Sequence, residues 1–190
     1  MSSTVSNHLA SHWCLDPSVT FLNHGSFGAC PRIVIEAQQR YRDMLEAEPV
    51  RFFECEALPL MDKARAELAG LIGADANDLA FVSNATTGVN CVVRSLRFEK
   101  GDEILTTDHA YNACNNVLSY VARREGAKVV TASIPFPLQS PQQAIDAIVQ
   151  CVSPRTKLAM IDHITSPTGL VLPIQTSVDE LQSRVVDLLV

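Results

Sequence analysis

Residues 81–90 read FVSNATTGVN, an apolar run that passes directly into Asn84, Ala85, Thr86, Thr87 and Gly88. The chemistry open to such a stretch is anion binding. If a buried strand ends at Ser83 and a helix starts there, the first amides of that helix have no intrahelical acceptor. The positive end of the macrodipole and two hydroxyl donors then point to the same place, as a phosphate monoester dianion requires. Small residues let the backbone come close to such a ligand. The same residues could serve as a plain helix cap, with Asn84 or Thr86 as acceptor, and the two uses are compatible. The stretch matches neither GxGxxG nor GxxxxGK(S/T), which disfavours a dinucleotide or P-loop nucleotide and favours a single phosphate on a compact molecule.

Other reactive side chains form no comparable group. The cysteines, Cys14, Cys30, Cys55, Cys91, Cys114 and Cys151, lie far apart, without a CxxC pair or a histidine at zinc spacing, so no metal site is expected. None stands beside a histidine and an acid in a recognisable pattern, which disfavours a thiol enzyme. They read as free thiols of a reducing, cytoplasmic compartment, each as a small buried hydrophobe.

The elements that must position the 84–88 turn follow from periodicity. The first thirty residues read as an irregular arm ending in FLNHGSFGACP. Pro31 suits a first helical position, and Ile33, Ala37, Tyr41, Met44 and Leu45 recur at helical spacing until Pro49. Leu60, Ala64, Leu68 and Leu71 mark a second helix, closed by Gly73. From residue 79 short apolar runs alternate with helix-like stretches: LAFVS, NATTGVNCVVRSL, EILTT, YNACNNVLSYVARR, AKVVTAS, PQQAIDAIVQCV, KLAMID, SVDELQSR and VVDLLV. That rhythm predicts an α/β domain with a mostly parallel sheet and helices on both faces.

Composition agrees with a folded protein. The 190 residues are 47% hydrophobic with a formal charge of −6, and mean hydropathy is slightly positive, so a sizeable core is available. Lysine and arginine are scattered, which argues against a nucleic-acid surface or a polybasic membrane patch, and no apolar run reaches the roughly 18 residues of a membrane span. The start, MSSTVSNHLASHW, lacks the basic and apolar regions of a secretion signal.

Four segments together resemble the class V aminotransferases of the fold-type I pyridoxal-phosphate (PLP) enzymes, in particular the isopenicillin N epimerase-like branch near the cysteine desulfurases. They are FLNHGSFGACP, EPVRFFE, FVSNATTGVN, and GDEILTTDHAYNACNN with its continuation IDHITSPTGLVLPI. The resemblance implies that Asn84, Ala85, Thr86 and Thr87 hold the cofactor phosphate. It places His109 where the family stacks a ring on the pyridine, with Tyr111 as the near alternative. Taken alone, His109 reads equally as a helix-start residue beside Asp108, a good N-cap. The loop after KLAMID, His163 to Gly169, corresponds to the family's loop beneath the cofactor, with Thr165 and Ser166 as contacts and Thr168 close by; relatives carry Asn near Ser166. Asn23, His24 and Gly25 correspond to the stretch that helps receive substrate. Arg51 is the candidate for the substrate carboxylate, since a guanidinium pairs with it bidentately.

The resemblance also implies what is missing. The acid that protonates the pyridine nitrogen opens a DGAH-like stretch directly after the strand corresponding to VVDLLV, and the lysine that carries the cofactor as a Schiff base lies further on. Lys63, Lys100, Lys128 and Lys157 are the lysines present; the first is read in a helix, the others at or before strand starts, opposite the crevice. No catalytic residue is therefore assigned. The expectation is an N-terminal arm (1–30) and an incomplete PLP-binding large domain (31–190), truncated, without the small C-terminal domain. Its homodimeric parent would act at the α-carbon of an amino acid by epimerisation, lyase or desulfurase chemistry, or amino transfer. The alternative is a short non-catalytic protein retaining a phosphate-binding or dimerising role.

Overall fold

In a computed structural model, residues 8–184 and 186–190 are described. Contacts divide the chain between Ala80 and Phe81 into two compact units.

In the first unit, a 3-10 turn (His8–His12) and a short helical turn (His24–Phe27) lie within the segment read as irregular. Helix α1 (Arg32–Ala47) stops before Pro49, as the spacing predicts. A turn at Pro49–Arg51 and a π-helical turn at Phe52–Glu56 lead into α2 (Ala57–Ile72). Gly73 closes α2 with φ +70°, a left-handed position that costs glycine nothing. The apolar stripes are present, yet no residue of α1 is buried and of α2 only Ala69. Helical periodicity thus reports the helix and not what covers it.

The second unit carries the sheet. Helix α3 (Ala85–Ser95) is followed by β1 (Glu103–Thr107), α4 (Asn112–Glu125), β2 (Lys128–Ala132), α5 (Pro141–Val149), β3 (Thr156–Met160), α6 (Ile174–Gln182) and β4 (Asp187–Leu189). The strands run parallel in the order β2-β1-β3-β4. Leu105 stands beside Val130 on one side and Ala159 on the other. Successive side chains of a strand face opposite ways. Ile104 and Leu158 accordingly join Val93, Val117, Leu118 and Val121 of α3 and α4 in one core cluster. Leu105 and Ala159 join Ala144, Ile148 and Leu181 of α5 and α6 in the other. Both faces are covered, which is why these strands read as continuous apolar runs.

Two expectations fail. No strand forms over LAFVS: residues 79–82 have no ladder partner among the described residues, and Phe81 and Val82 are about half exposed. An apolar run has strand composition wherever it lies, but only a neighbouring strand's amides and carbonyls make it one. The cysteines, none of them in a disulfide, are also not mostly buried: Cys14, Cys30, Cys55 and Cys91 are exposed, Cys151 is intermediate and Cys114 alone is buried. The cysteine's position on its helix or loop decides this, not its polarity.

Candidate functional site

Open parallel sheets place their ligand crevice outside the carboxyl ends of the strands. Such a cleft, about 560 Å³, is lined by Asn84, Ala85, Thr86 and Val89 at the start of α3, and by Tyr111 and Cys114 after β1. Asp162, His163, Ile164 and Ser166 line it after β3, and Val190 after β4.

At the α3 end, Asn84 is extended and its Oδ1 accepts the Thr87 N–H at 2.8 Å. Asn84 is therefore the cap, and the Thr87 amide is spent on it. The amides of Ala85 and Thr86, the first two helical positions, have no intrahelical acceptor, and both residues line the cleft. The Thr87 hydroxyl lies 3.4 Å from that of Ser83.

The segment after β1 separates the two ring candidates. Tyr111 is 48% exposed and lines the cleft. His109 is 8% exposed and lies outside the lining, its Nδ1 2.7 Å from Thr168 Oγ1 and its Nε2 3.0 Å from the Ile134 carbonyl. Asp108 does not cap α4, whose N-cap is Tyr111. Instead its carboxylate accepts the Ile134 N–H at 2.9 Å and the Ser133 hydroxyl at 2.7 Å. Burial opposes its charge, but these two hydrogen bonds and the neighbouring His109 together hold the Asp108 carboxyl below its ordinary value.

After β3 the chain makes a tight hairpin. Thr165 N–H donates to Leu170 O, Leu172 N–H to His163 O, and Ile164 bridges Val171. Thr165 is 1% exposed and its hydroxyl is used inside the hairpin, so it does not line the cleft; Ser166 does.

The sequence reading passed over Asp162, which lies two residues past the end of β3 and whose carboxylate accepts the Tyr111 N–H at 3.1 Å. Burial pushes its carboxyl above the ordinary value, against the smaller effect of that hydrogen bond, and burial together with Asp162 raises the Cys114 thiol. A carboxylate closing an apolar run was the available signal. Because the folded state holds this proton more tightly, ionised Asp162 weakens the fold as pH rises through its folded pKa. Below the unfolded value, near 3.8, it is protonated in both states and that penalty is absent. Asn keeps a carbonyl for the Tyr111 amide without the charge. Asp162→Asn is therefore expected to melt higher than the parent near neutral pH, with the difference closing as pH falls toward 3.8, as thermal melts across pH would show.

The remaining candidates lie in the first unit. His24 packs its ring against Phe21 and Trp13, at centroid distances of 4.7 and 5.8 Å. Asn23 precedes its helical turn without a side-chain cap bond, and a Cβ at Gly25 would meet nothing within 4 Å. Arg51, 64% exposed at its side chain, holds Glu56 at 3.0 Å and Glu48 at 3.8 Å.

Among the described residues no helix is long and apolar enough to cross a membrane, and no group of three or more His, Cys, Asp or Glu side chains could hold a metal. The cleft's donor set suits a phosphate joined to a flat ring. Two helix-end amides suit the anion, the Ser166 hydroxyl and the aromatic face of Tyr111 suit the ring, and Val89 and Ile164 are apolar walls. No lysine lines it; Lys128 opens β2 and Lys157 is second in β3, at the opposite ends of their strands.

Comparison with known proteins gives the same picture. The family model of the class-V aminotransferases matches residues 20–190. Isopenicillin N epimerase of Streptomyces clavuligerus is 39% identical over 170 residues, 90% of this chain and 43% of that protein. Putative L-cysteine desulfhydrase 1 of Oryza sativa subsp. japonica is 32% identical over 187 residues, 90% of this chain and 39% of that protein. Two solved structures of C-DES align with TM-scores of 0.75 and 0.76 at 24% and 25% identity, each over 85% of this chain and 42% of theirs. One is a mutant with glycine covalently linked to the PLP cofactor. The other is the complex of this cystine C–S lyase with its product cysteine persulfide. The chain thus spans about two fifths of the length of the relatives it matches.

Proposed function

This chain belongs to the class-V aminotransferase family, and from that premise we propose that its sheet unit grips pyridoxal phosphate for an enzyme acting at the α-carbon of an amino acid. The observation that carries the reading is the cleft at the strand ends, where Ala85 and Thr86, with no intrahelical acceptor for their amides, line one space with Ser166 and Tyr111. When bound there, PLP supplies an electron sink for the charge left at the α-carbon. Ala85 and Thr86 bind the phosphate through their amides, with Asn84 setting the helix end that presents them. Thr87 lies outside the lining; its amide completes the Asn84 cap, and its hydroxyl is proposed to reach the phosphate from the edge of the turn. Tyr111, exposed where His109 is buried, orients the ring plane. Ser166 offers its hydroxyl to the ring, and Thr165 shapes the hairpin that presents it.

Asn23, His24, Gly25 and Arg51 are the proposed substrate-receiving residues; Arg51 would exchange its glutamate partners for a substrate carboxylate. Epimerisation, C–S lyase or desulfurase chemistry and amino transfer all fit an α-carbon site, as the names of the relatives suggest. Residues 31–190 acting as one PLP-binding large domain behind an arm, homodimeric assembly and a cytoplasmic setting complete the proposal. Six cysteines with no disulfide between them support the last.

Titrating the isotope-labelled chain with pyridoxal phosphate and, separately, with inorganic phosphate tests the cleft by NMR. Both are expected to shift the Ala85 and Thr86 amides, and only pyridoxal phosphate the Tyr111 ring. An unmoved 84–88 turn at millimolar ligand would sink the reading.

A further inference from the structure

Beside the cleft, a partly buried line of hydrogen bonds through the side chains of His109, Thr168 and Thr165 joins the loops after β1, β2 and β3. His109 Nε2 meets the Ile134 carbonyl, 25 residues away, and Nδ1 meets Thr168 Oγ1, 59 residues away. Thr168 Oγ1 lies 2.8 Å from Thr165 Oγ1, which accepts the Leu170 N–H at 2.9 Å. For the neutral ring, the direction of every bond follows from one end. A carbonyl only accepts, so Nε2 carries the proton. In the neutral ring Nδ1 is then an acceptor and the Thr168 hydroxyl must donate to it. The Thr168 oxygen in turn accepts from Thr165, whose remaining lone pair takes the Leu170 amide. Each hydroxyl donates once and accepts once, so the line is fully satisfied.

Its ends matter for the cleft. One end is two residues before Tyr111, and the other is the hairpin that presents Ser166. The Asp162 bond to the Tyr111 N–H ties the same two segments a second time. We propose that His109, locked in its Nε2–H tautomer, is a positioning residue that acts through Thr168 to hold Tyr111 and the Ser166 hairpin in register around the ring of the bound ligand. This rests on the cofactor reading above, but its geometry does not: the relay touches neither Ala85 nor Thr86, so it governs the ring and not the phosphate.

The two roles separate experimentally. In the labelled chain, a two-bond proton–nitrogen correlation spectrum is expected to show His109 protonated at Nε2 alone. Thr168→Val removes the donor at nearly constant shape, and Thr168→Ser keeps it. Pyridoxal phosphate binding is expected to weaken about three- to ten-fold in Thr168→Val, as for one lost hydrogen bond. It should recover in Thr168→Ser, while inorganic phosphate binding stays within about two-fold in both variants, as for an independent site. If Thr168→Val also loses phosphate binding, His109→Phe, which fills the space of the ring with neither the donor to Ile134 nor the acceptor for Thr168, is read in the same way. A proton on Nδ1, or wild-type affinity for pyridoxal phosphate in both variants, overturns the relay. If the wild-type chain titrates with neither ligand, the cofactor reading is what fails. The tautomer and the Tyr111 ring shifts then decide the relay by themselves, and a ring unmoved by Thr168→Val ends it.

Discussion

Thr86→Asp is expected to abolish phosphate binding at the cleft while leaving the protein at least as stable as before. Thr86 is the second residue of α3 and lines the cleft. A carboxylate in the first turn of a helix interacts favourably with the macrodipole, worth about 0.3–1 kcal/mol. The same charge occupies the place a phosphate dianion would take. Even with partial solvent screening, repulsion at contact distance corresponds to a loss of at least about 100-fold in affinity. A destabilising mutation would lower both quantities together; this one should move them in opposite directions. Thermal melts and phosphorus NMR titrations read the two separately. Retained phosphate binding in a folded Thr86→Asp chain would remove α3 from the site.

The second large effect is on the scaffold. Leu118 of α4 is fully buried among Ile104, Val117, Val121 and Leu158. Leu118→Ala is expected to cost about 3 kcal/mol, combining lost transfer energy with the cavity left behind. That is a large share of the roughly 5–15 kcal/mol available to a typical domain. In urea the midpoint should fall with the slope unchanged, since the surface exposed on unfolding is nearly the same. Because Tyr111 is the N-cap of α4, the ring should loosen, and pyridoxal phosphate binding should suffer more than binding of inorganic phosphate. A loss of less than about 1 kcal/mol would mean that α4 does not dock on the sheet as described.

Much of the scaffold was legible in the sequence. The 84–88 turn did become a capped helix start, EILTT, AKVVTAS and KLAMID did become neighbouring parallel strands, and Gly73 did end its helix. In each case the deciding physics is local: a side chain reaching an amide three residues on, an apolar run bounded by polar turns, or a residue free to take positive φ. LAFVS was misread because a strand needs a partner that no local pattern specifies.

The division is sharpest at the cleft. By itself, the sequence of this class-V aminotransferase relative determined the order of its elements, the phosphate-type turn and the segments that supply candidate ligands. Only the tertiary structure decided which of two nearby rings faces the cleft. Asp108 accepts from the amide of Ile134 and the hydroxyl of Ser133, and beside it His109 is buried while Tyr111 is about half exposed. Those partners lie 25 or more residues away, as Thr168 lies 59 from His109 and Asp162 lies 51 from Tyr111. Hydrogen bonds across such separations exist only once the strands have paired. Spacing along the chain could name the residues around this cleft; folding alone assigned each one its direction.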